Sequence, residues 1–581
     1  MSKPLTAKLP TPLQRVLRTL LVNALDDGQL KESMVALCEA LRALPPPPTP
    51  RRSQPVPFIY RDGHEILKLR SKHAAALLAA SNAGQEEQPF AYLYASTPVT
   101  DAPLEERLMG AKVPRVDLAR SPGGVGCGLS LATAASLPDE AERLLGSRMA
   151  FVVTGHALWP SAEERWGDRA FLEAELAGIS SCAVLAAPST SKTFLYWLPH
   201  RRFASLAEAV AKGHDRVLAP YDFDEPSVEQ LNLHVRDFFT LSDDSLGRDE
   251  RASGRSFYLQ HTIITPRQSN ALEGGTASGS QMRATAGLGK RMTDDIERGI
   301  NRTLLDAFSR AGALGPWIST VLFVGCGRSA AGARTRLHFD QVDNLYLQVA
   351  GVKRFRVFDP SQGASLASYP FHHPLDRSAQ VDLSRPTESV RNFPRLSEAR
   401  GSVVTLGPGD ALFLPAYWWH EVLTDASDHP QGLTLSVNFW FSAHTQLADP
   451  SPSLPLRPML EAELARQLEM AIADALDDRG EFVPPFLRAM RRQLEALIAC
   501  VASMPDVSTQ QMRQQRLSPS TSISWAVLQK QRPSGVAASA WAALFEYVVA
   551  KLLLWLPSPA HLLPFLRRHC CESRFKKLKL R

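Results

Sequence analysis

The stretch that decides the fold is RLHFDQVDNLYLQVAGVKRFRVFDP, residues 336–360. Apolar and polar side chains alternate along most of it, which is typical of β-strands, and Gly351 indicates a turn between two of them. Side chains at positions i and i+2 of a strand project from the same face, so His338 and Asp340 are expected to point the same way while Phe339 points the other way. This geometry would allow both to bind one metal ion.

A histidine and a carboxylate at this spacing have a second explanation, an ordinary ion pair or an exposed strand histidine, and a chain of this size contains roughly one such spacing by chance. A second imidazole favours the metal site. The segment LGPGDALFLPAYWWHEV, residues 406–422, predicts a turn, a buried strand and then His420. Two histidines with one carboxylate suit non-haem Fe(II) and leave three coordination positions open, although the same set also occurs at catalytic zinc.

Lys353 lies on the strand that follows the Gly351 turn. An oxygenase that uses 2-oxoglutarate must hold the far carboxylate of that cosubstrate with a cation and hydroxyl donors inside an apolar interior. Strand parity alone leaves two interpretations open. Lys353 is either a buried cosubstrate ligand or an outward-facing lysine on an edge strand.

The composition is that of a globular protein of several packed units, with 581 residues of which 44% are hydrophobic and 21% charged. A net charge of +6 argues neither for nor against nucleic acid. Seven cysteines form no CxxC pair, which predicts reduced thiols. No transmembrane segment is expected, because Glu546 and Lys551 interrupt the one long apolar run. A cytoplasmic or nuclear location is expected, and the basic N-terminus leaves a mitochondrial presequence open.

Several long stretches together resemble the JmjC oxygenases. They are TRLHFDQVDNLYLQVAGVKR (335–354), YPFHHPLDRSAQVD (369–382), the 406–422 segment and GLTLSVNFWF (432–441), with AVLAAPSTSKTFLYW (183–197) and FYLQHT (257–262) upstream. Within that family, the sequence most resembles the asparaginyl hydroxylases that inhibit hypoxia-inducible factor. The resemblance covers about residues 113–499.

The resemblance implies an α+β protein with a mainly β core. The core would be a double-stranded β-helix of the cupin or jelly-roll type, with α-helical N- and C-terminal extensions. Four regions are then expected: a helical segment with a proline linker (1–50), an extension of unknown role (51–112), the JmjC cupin-like catalytic domain (113–445, core 318–441), and a helical region (446–581). The helical region would form a homodimer, because apolar stripes between 457 and 500 must be buried.

The resemblance also implies the cofactors Fe(II) and 2-oxoglutarate, and a role for each site residue. Iron would be bound by His338, Asp340 and His420. The remaining cofactor-binding positions would be Tyr258, Thr335 and Lys353 at the distal carboxylate of 2-oxoglutarate, with Asn344 and Asn438 lining the metal site. The implied reaction is hydroxylation of a protein side chain, an asparagine or another residue, coupled to decarboxylation of 2-oxoglutarate to succinate.

One departure from the family pattern concerns the substrate. Contacts to a protein or peptide substrate are implied at Arg377, at the next residue and at Trp440. The family pattern has a glutamine after the arginine, whereas this chain has Ser378, which is too short to offer the paired amide hydrogen bond. Asparagine as the target is therefore open.

Three other readings also stay open: a JmjC oxygenase acting on tRNA, one acting on methyl-lysine, and a non-catalytic binding platform. The scattered basic segments do not favour nucleic acid. The Gly- and Ser-rich segment 265–291 predicts a mobile loop that either covers the substrate entrance or is a surface insertion. His373, which lies beside a second histidine before Pro374, is expected at the surface, with a contact to substrate as the alternative.

Overall fold

The computed structural model describes much of the chain between residues 108 and 502, with short segments beyond it. The described residues are 108–118, 137–155, 158–197, 226–243, 254–266, 282–327, 332–371, 373–425, 429–430, 432–443, 458–476, 483–502, 548, 562–569 and 574. The predicted N-terminal helix, the proline linker and the 536–556 apolar run lie outside these residues, apart from position 548.

Sixteen strands occur within the described ranges. They are β1 (Ala111–Lys112), β2 (Arg115–Asp117), β3 (Phe151–Thr154), β4 (Cys182–Pro188), β5 (Thr193–Phe194), β6 (Glu229–Leu233), β7 (Arg255–Pro266), β8 (Met282–Ala284), β9 (Trp317–Gly325), β10 (Arg334–Phe339), β11 (Val342–Ala350), β12 (Val352–Phe358), β13 (Ser402–Leu406), β14 (Ala411–Leu414), β15 (Trp419–Asp425) and β16 (Thr434–Ser442).

The helices of the same ranges flank this strand-rich core. They are α1 (Asp139–Gly146), α2 (Pro160–Arg165), α3 (Arg169–Leu176), α4 (Val235–Asp243), α5 (Lys290–Asp294), α6 (Arg302–Ala311), α7 (Pro386–Asn392), α8 (Pro458–Leu476), α9 (Val483–Ala502) and α10 (Leu562–His569). A π-helical turn (Asp295–Gly299) follows α5, and 3₁₀ turns form at Pro360–Ala364 and Pro394–Glu398. No helix of the described residues is long and apolar enough to cross a membrane.

Two sheets face each other, which confirms the predicted mainly β core. In the described residues the smaller sheet has the order β1-β13-β12-β15-β10-β5, and the larger runs β2-β3-β14-β11-β16-β9-β7-β4-β6 with β8 beside β7. Most pairs are antiparallel. This arrangement is a jelly roll, the architecture of the double-stranded β-helix.

The interior of the jelly roll is filled from both sheets. Tyr346 and Leu412 from the larger sheet pack with Phe355, Val357 and Leu406 from the smaller sheet. Strand alternation sends every second residue of β11 into this interior and the others into a larger outer core beneath helices α1 to α6. A cavity at one end of such a barrel is therefore lined by alternate residues of several strands.

Residues 290–311 do not form one continuous helix. The chain instead forms α5, a π-helical turn and α6, because two side chains stop the first helix. Asp295 is buried and accepts hydrogen bonds from Trp166 Nε1 (2.8 Å) and from Arg165. Asn301 then caps α6 by accepting from Leu304 N at 3.0 Å.

The predicted loop at 265–291 is also shorter than expected. Its ends form a β7–β8 hairpin in which Ile264 pairs with Ala284 and Pro266 with Met282. The segment then continues into α5. Only residues 267–281 of the predicted loop lie outside the described residues.

The C-terminal helices pack against the barrel of the same chain. The predicted apolar stripe of α8 is buried at Leu460, Leu464, Leu468 and Ile472. Burial of this stripe therefore needs no second subunit, and the predicted dimer stays a prediction.

Candidate metal centre

The two histidines predicted from distant segments lie side by side. Strands β10 and β15 pair antiparallel, and His338 stands directly opposite His420 with 4.2 Å between ring centroids. Asp340 follows the end of β10, and its Oδ2 atom is 3.8 Å from His420 Nε2. One ligand atom from each of these three residues lies within 4.8 Å of the other two. The structure thus brings together the predicted facial set.

A β-bulge in β10 places Thr335 on the same face of the strand as His338. Thr335 pairs with Val422 and His338 with His420, so three residues of β10 span the distance of two on β15. Strict alternation would turn Thr335 and His338 to opposite faces, but the extra residue turns both into the barrel.

Both imidazoles are held in an orientation that suits a metal ion. His338 Nδ1–H donates to the carbonyl of Arg336 at 2.7 Å, and His420 Nδ1–H donates to the carbonyl of Trp418 at 3.0 Å. A carbonyl can only accept, so the proton of each neutral ring resides on Nδ1 and the Nε2 lone pair is free. Such second contacts fix the tautomer in metal-binding histidines, and the donor set therefore fits Fe(II).

Electrostatics favour the charge states that bind metal. Burial, reinforced by the neighbouring His338, lowers the pKa of His420 to about 4, so this ring is neutral near pH 7. Burial raises the pKa of Asp340, but the charges of His338, His420 and Arg377 outweigh it and the pKa is lowered overall. A neutral imidazole and an ionised carboxylate are the forms that ligate.

Lys353 faces the barrel interior and is 1% exposed. Its strand lies between β13 and β15, so the edge-strand interpretation is wrong. Lys353 Nζ is 3.0 Å from Tyr258 Oη and 3.0 Å from Ser436 Oγ. No acidic side chain among the described residues forms an ion pair with it, and burial lowers its pKa to about 7. A buried ammonium whose hydrogen-bond partners are both hydroxyls is suited to binding a carboxylate.

Tyr258 completes this anion-binding cluster. Burial raises its pKa, so the phenol keeps its proton. Because Lys353 Nζ donates to Tyr258 Oη, the phenolic hydrogen can point to an incoming anion. These contacts fit the distal carboxylate of 2-oxoglutarate, the group that the resemblance implies here.

The larger sheet contributes unpaired polar groups to the same interior. Asn344 and Asn438 are buried, and within the described chain their Oδ1 atoms have no hydrogen-bond partner. Trp440 Nε1 is likewise buried without a described partner, and its ring packs edge-on against Phe323 at 6.4 Å. Buried polar atoms are normally satisfied, so these three atoms are available to form hydrogen bonds with a ligand in this interior.

Two of the three implied substrate residues, Arg377 and Ser378, lie against the metal ligands. Arg377 Nη1 is 3.8 Å from Asp340 Oδ1, and the Arg377 carbonyl accepts from Phe339 N at 3.0 Å. Ser378 is buried and forms a β-bridge with His338. The departure from the family pattern therefore lies next to a metal ligand.

The surface expectation for His373 is wrong. His373 is buried, stacks on Tyr369 with 4.3 Å between centroids, and accepts from Leu375 N at 3.0 Å. It stabilises the turn that precedes Arg377. The neighbouring histidine lies outside the described residues.

Ser436 was not among the predicted site residues, although its contact with Lys353 places it in the cluster. A signal for it exists in the sequence GLTLSVNFWF. Ser436, Asn438 and Trp440 alternate along an otherwise apolar strand and so share a face.

Comparisons with known proteins agree with this geometry. The family model for cupin-like domains matches residues 142–446. HSPB1-associated protein 1 of Rattus norvegicus is 35% identical over 113 residues, 19% of this chain and 22% of that protein. Lysine-specific demethylase 8 of Xenopus tropicalis is 35% identical over 113 residues, 19% of this chain and 23% of that protein. tRNA wybutosine-synthesizing protein 5 of Danio rerio is 34% identical over 95 residues, 16% of this chain and 27% of that protein.

Two of these relatives are named for different substrates, lysine and tRNA. The matched segments span only about a quarter of the relatives' length or less. The matches support the JmjC resemblance, but they do not single out the asparaginyl hydroxylases. Since the family match extends over more than half of the chain, from α1 to just past β16, and contains the whole His338, Asp340 and His420 cluster, the chain belongs to the cupin-like, JmjC-type family.

Proposed function

We propose that this protein is an Fe(II)- and 2-oxoglutarate-dependent dioxygenase that hydroxylates a side chain of a protein substrate. The observation that carries the proposal is one barrel interior with two complementary clusters. One is the His338, Asp340 and His420 set, with each imidazole Nε2 free. The other is the buried Lys353, which has hydroxyl neighbours and no described acidic partner.

The chain would supply position and a dry environment for this reaction. His338, Asp340 and His420 would hold the iron, which when bound supplies the activation of molecular oxygen. Lys353 and Tyr258 would hold the far carboxylate of 2-oxoglutarate and so orient its keto acid end. One oxygen atom would enter the substrate, the other would enter succinate, and carbon dioxide would leave.

A protein substrate is favoured by the polar groups beside the metal ligands. Arg377 is partly exposed and lies against Asp340, where its guanidinium can donate to a peptide or amide carbonyl. Ser378 cannot supply the amide of the family pattern, so we place the target among side chains in general and not on asparagine alone.

Acting on tRNA is a second candidate, because one relative is named as a tRNA wybutosine-synthesizing protein. Demethylation of lysine is a third, because another is named as a lysine-specific demethylase. Both would use the same iron and cosubstrate sites. They differ in the product, which is a hydroxylated nucleoside or an unmethylated lysine.

The test is turnover of the full chain with Fe(II) and 2-oxoglutarate. We expect succinate to form with purified wild type and to fall at least hundredfold in His338→Ala, because two ligands cannot hold the ion in place. Mass spectrometry of proteins and of RNA incubated with each form identifies the substrate. A gain of one oxygen on a peptide supports the proposal, oxidised RNA or lost methyl groups support the alternatives, and succinate no higher than in His338→Ala with every substrate contradicts all three.

A further inference from the structure

One face of helix α8 touches each segment that surrounds the metal cluster. Glu463, Arg466 and Glu469 are spaced by three residues, so they lie along the same side of the helix. Arg466 lies over the ring of Phe339 in β10, and Glu463 and Glu469 bond to the loops beside the smaller sheet. We call these three residues the α8 stripe.

The first member reaches the loop before His420. Tyr417 Oη donates to the buried Glu463 carboxylate and accepts from Gln341 Nε2 at 3.0 Å. Tyr417 has a positive φ of 68°, and its backbone N–H donates to the carbonyl of Asp340 at 2.7 Å. Glu463 therefore holds the residue whose main chain fixes the position of a metal ligand.

The second member reaches the segment beside His338. Arg466 forms a bidentate ion pair with Asp376, and its Nη2 atom is 2.9 Å from Oδ2. The next residue, Arg377, binds the main chain of Phe339, and Ser378 bridges to His338. Bidentate pairs between buried groups are geometrically strict, so this contact sets the position of the whole segment.

The third member joins this arrangement to the far end of the chain. Glu469 accepts from the backbone N–H of Phe371 at 2.8 Å and from the buried Arg574 guanidinium. Arg574 also donates to the carbonyl of Ser368 at 2.9 Å and that of Tyr369 at 3.2 Å. The stripe thus holds both ends of residues 368–378.

An aromatic layer lies between the stripe and the ligands. Phe339, between His338 and Asp340 in sequence, stacks on Tyr417 at 5.0 Å and packs edge-on against Trp419 at 4.8 Å. The Arg466 guanidinium lies 5.5 Å from the centre of the Phe339 ring. Displacing Arg466 would loosen the residue that separates two of the three ligands.

From these contacts we infer that the α8 stripe is a positioning device for the metal centre. Arg466 and Glu463 act through Asp376 and Tyr417 to hold His338, Asp340 and His420 at ligand distance. The inference rests on the proposed function, since it requires that these three residues bind a metal ion. Partners of this kind, one step removed from the ligands, typically change metal affinity 10- to 100-fold.

The test measures metal affinity and stability separately. The probe is Co(II), whose visible absorption reports its ligand geometry, titrated into full-length wild type, Arg466→Met and Glu463→Gln without cosubstrate. We expect the dissociation constant to rise about tenfold in each variant, with an altered absorption spectrum. Arg466→Lys, which keeps the charge but not the bidentate contact, should lie between wild type and Arg466→Met.

Arg165→Met is the matched control. It removes the partner of Asp295, a carboxylate that is 4% exposed compared with 2% for Asp376, in a pair on the outer helical layer. We expect a lower unfolding temperature in this control with unchanged Co(II) affinity and spectrum. If Arg466→Met fails to fold, Glu463→Gln, which removes only a charge, decides the question.

The failures of the two proposals can be told apart. Absence of Co(II) and Fe(II) binding by wild type would refute the proposed function and the inference with it. Binding by wild type that the folded stripe variants retain unchanged, or lose only as much as the control does, would refute the inference alone and make the stripe an ordinary packing contact.

Discussion

At the scale of single residues, the buried amine of Lys353 lowers the stability of the folded protein. Lys353 is buried with two hydroxyl neighbours, and the resulting pKa of about 7 lies well below the value of 10.5 expected for a lysine in the unfolded chain. Between these two values the unfolded chain binds more protons, so the stability of the wild type rises with pH across this window. Below about pH 7 the folded protein bears the full free-energy cost of burying the charged Lys353.

Replacing Lys353 by methionine should therefore stabilise the protein while removing cosubstrate binding. At pH 8 we expect the free energy of unfolding to rise by about 2 kcal/mol, because methionine fills similar space without a charge to bury. The gain should shrink steadily as the pH is raised from 8 and be nearly lost by about pH 10, since the wild-type cost of burying a charged lysine disappears there. Urea denaturation of both proteins between pH 8 and pH 10 measures the free energy of unfolding.

Lys112→Met is the control for that measurement, because Lys112 is exposed at the end of β1. Its unfolding free energy should stay within about 0.5 kcal/mol of wild type at every pH. If Lys353→Met is destabilised at pH 8, or still binds 2-oxoglutarate as tightly as wild type, then Lys353 is not a buried receptor for the cosubstrate.

The sequence predicts some of these residues better than others. His338 and Asp340 share a face by alternation, and His420 follows a recognisable buried strand, so all three could be named in advance. The sequence could not predict which face of its strand Lys353 occupies. Alternation shows only which residues share a face, and a neighbouring strand is needed to decide which face is buried. His373 was misjudged, since only the folded chain stacks it on Tyr369.

At the scale of elements, the turn between β11 and β12 brings Asn344 and Lys353 into one interior from opposite sheets. Gly351 makes this turn with φ of 70°, and a Cβ atom there would lie 2.7 Å from the carbonyl oxygen of Leu433. The sequence predicts this turn from glycine alone. The bulge that turns Thr335 inward cannot be predicted in the same way, because no glycine marks its position in the sequence.

Gly351→Ala should destabilise the protein by about 2 kcal/mol or more. The added methyl group would be strained by the left-handed backbone and would also clash with the Leu433 carbonyl oxygen. Gly407→Ala is the comparison, because its Cβ would meet open space and its φ is not positive. Thermal unfolding of both variants measures the difference. An equal loss at the two positions would mean that the Gly351 turn carries no special strain.

At the scale of the whole molecule, the barrel and helix α8 form one unit and not a domain with an appendage. The α8 stripe and the buried leucines of the same helix attach it to the barrel. The sequence predicts α8 itself from its 3.6-residue periodicity, but it cannot predict the surface that α8 covers. That surface depends on where distant segments such as Asp376 and Tyr417 meet.

Native-state hydrogen exchange should therefore show that α8 opens together with the strands that carry the ligands. We expect amides of α8 to be protected within about tenfold of those in β10 and β15, because elements that unfold as one unit share one opening free energy. The short, partly exposed helix α7 provides the comparison and should exchange at least about a hundredfold faster. Arg466→Met should lower the protection of α8, β10 and β15 together, since it breaks the contact that couples them. If α8 exchanges as fast as α7 in wild type, the helix is only loosely docked and cannot hold the ligands in place.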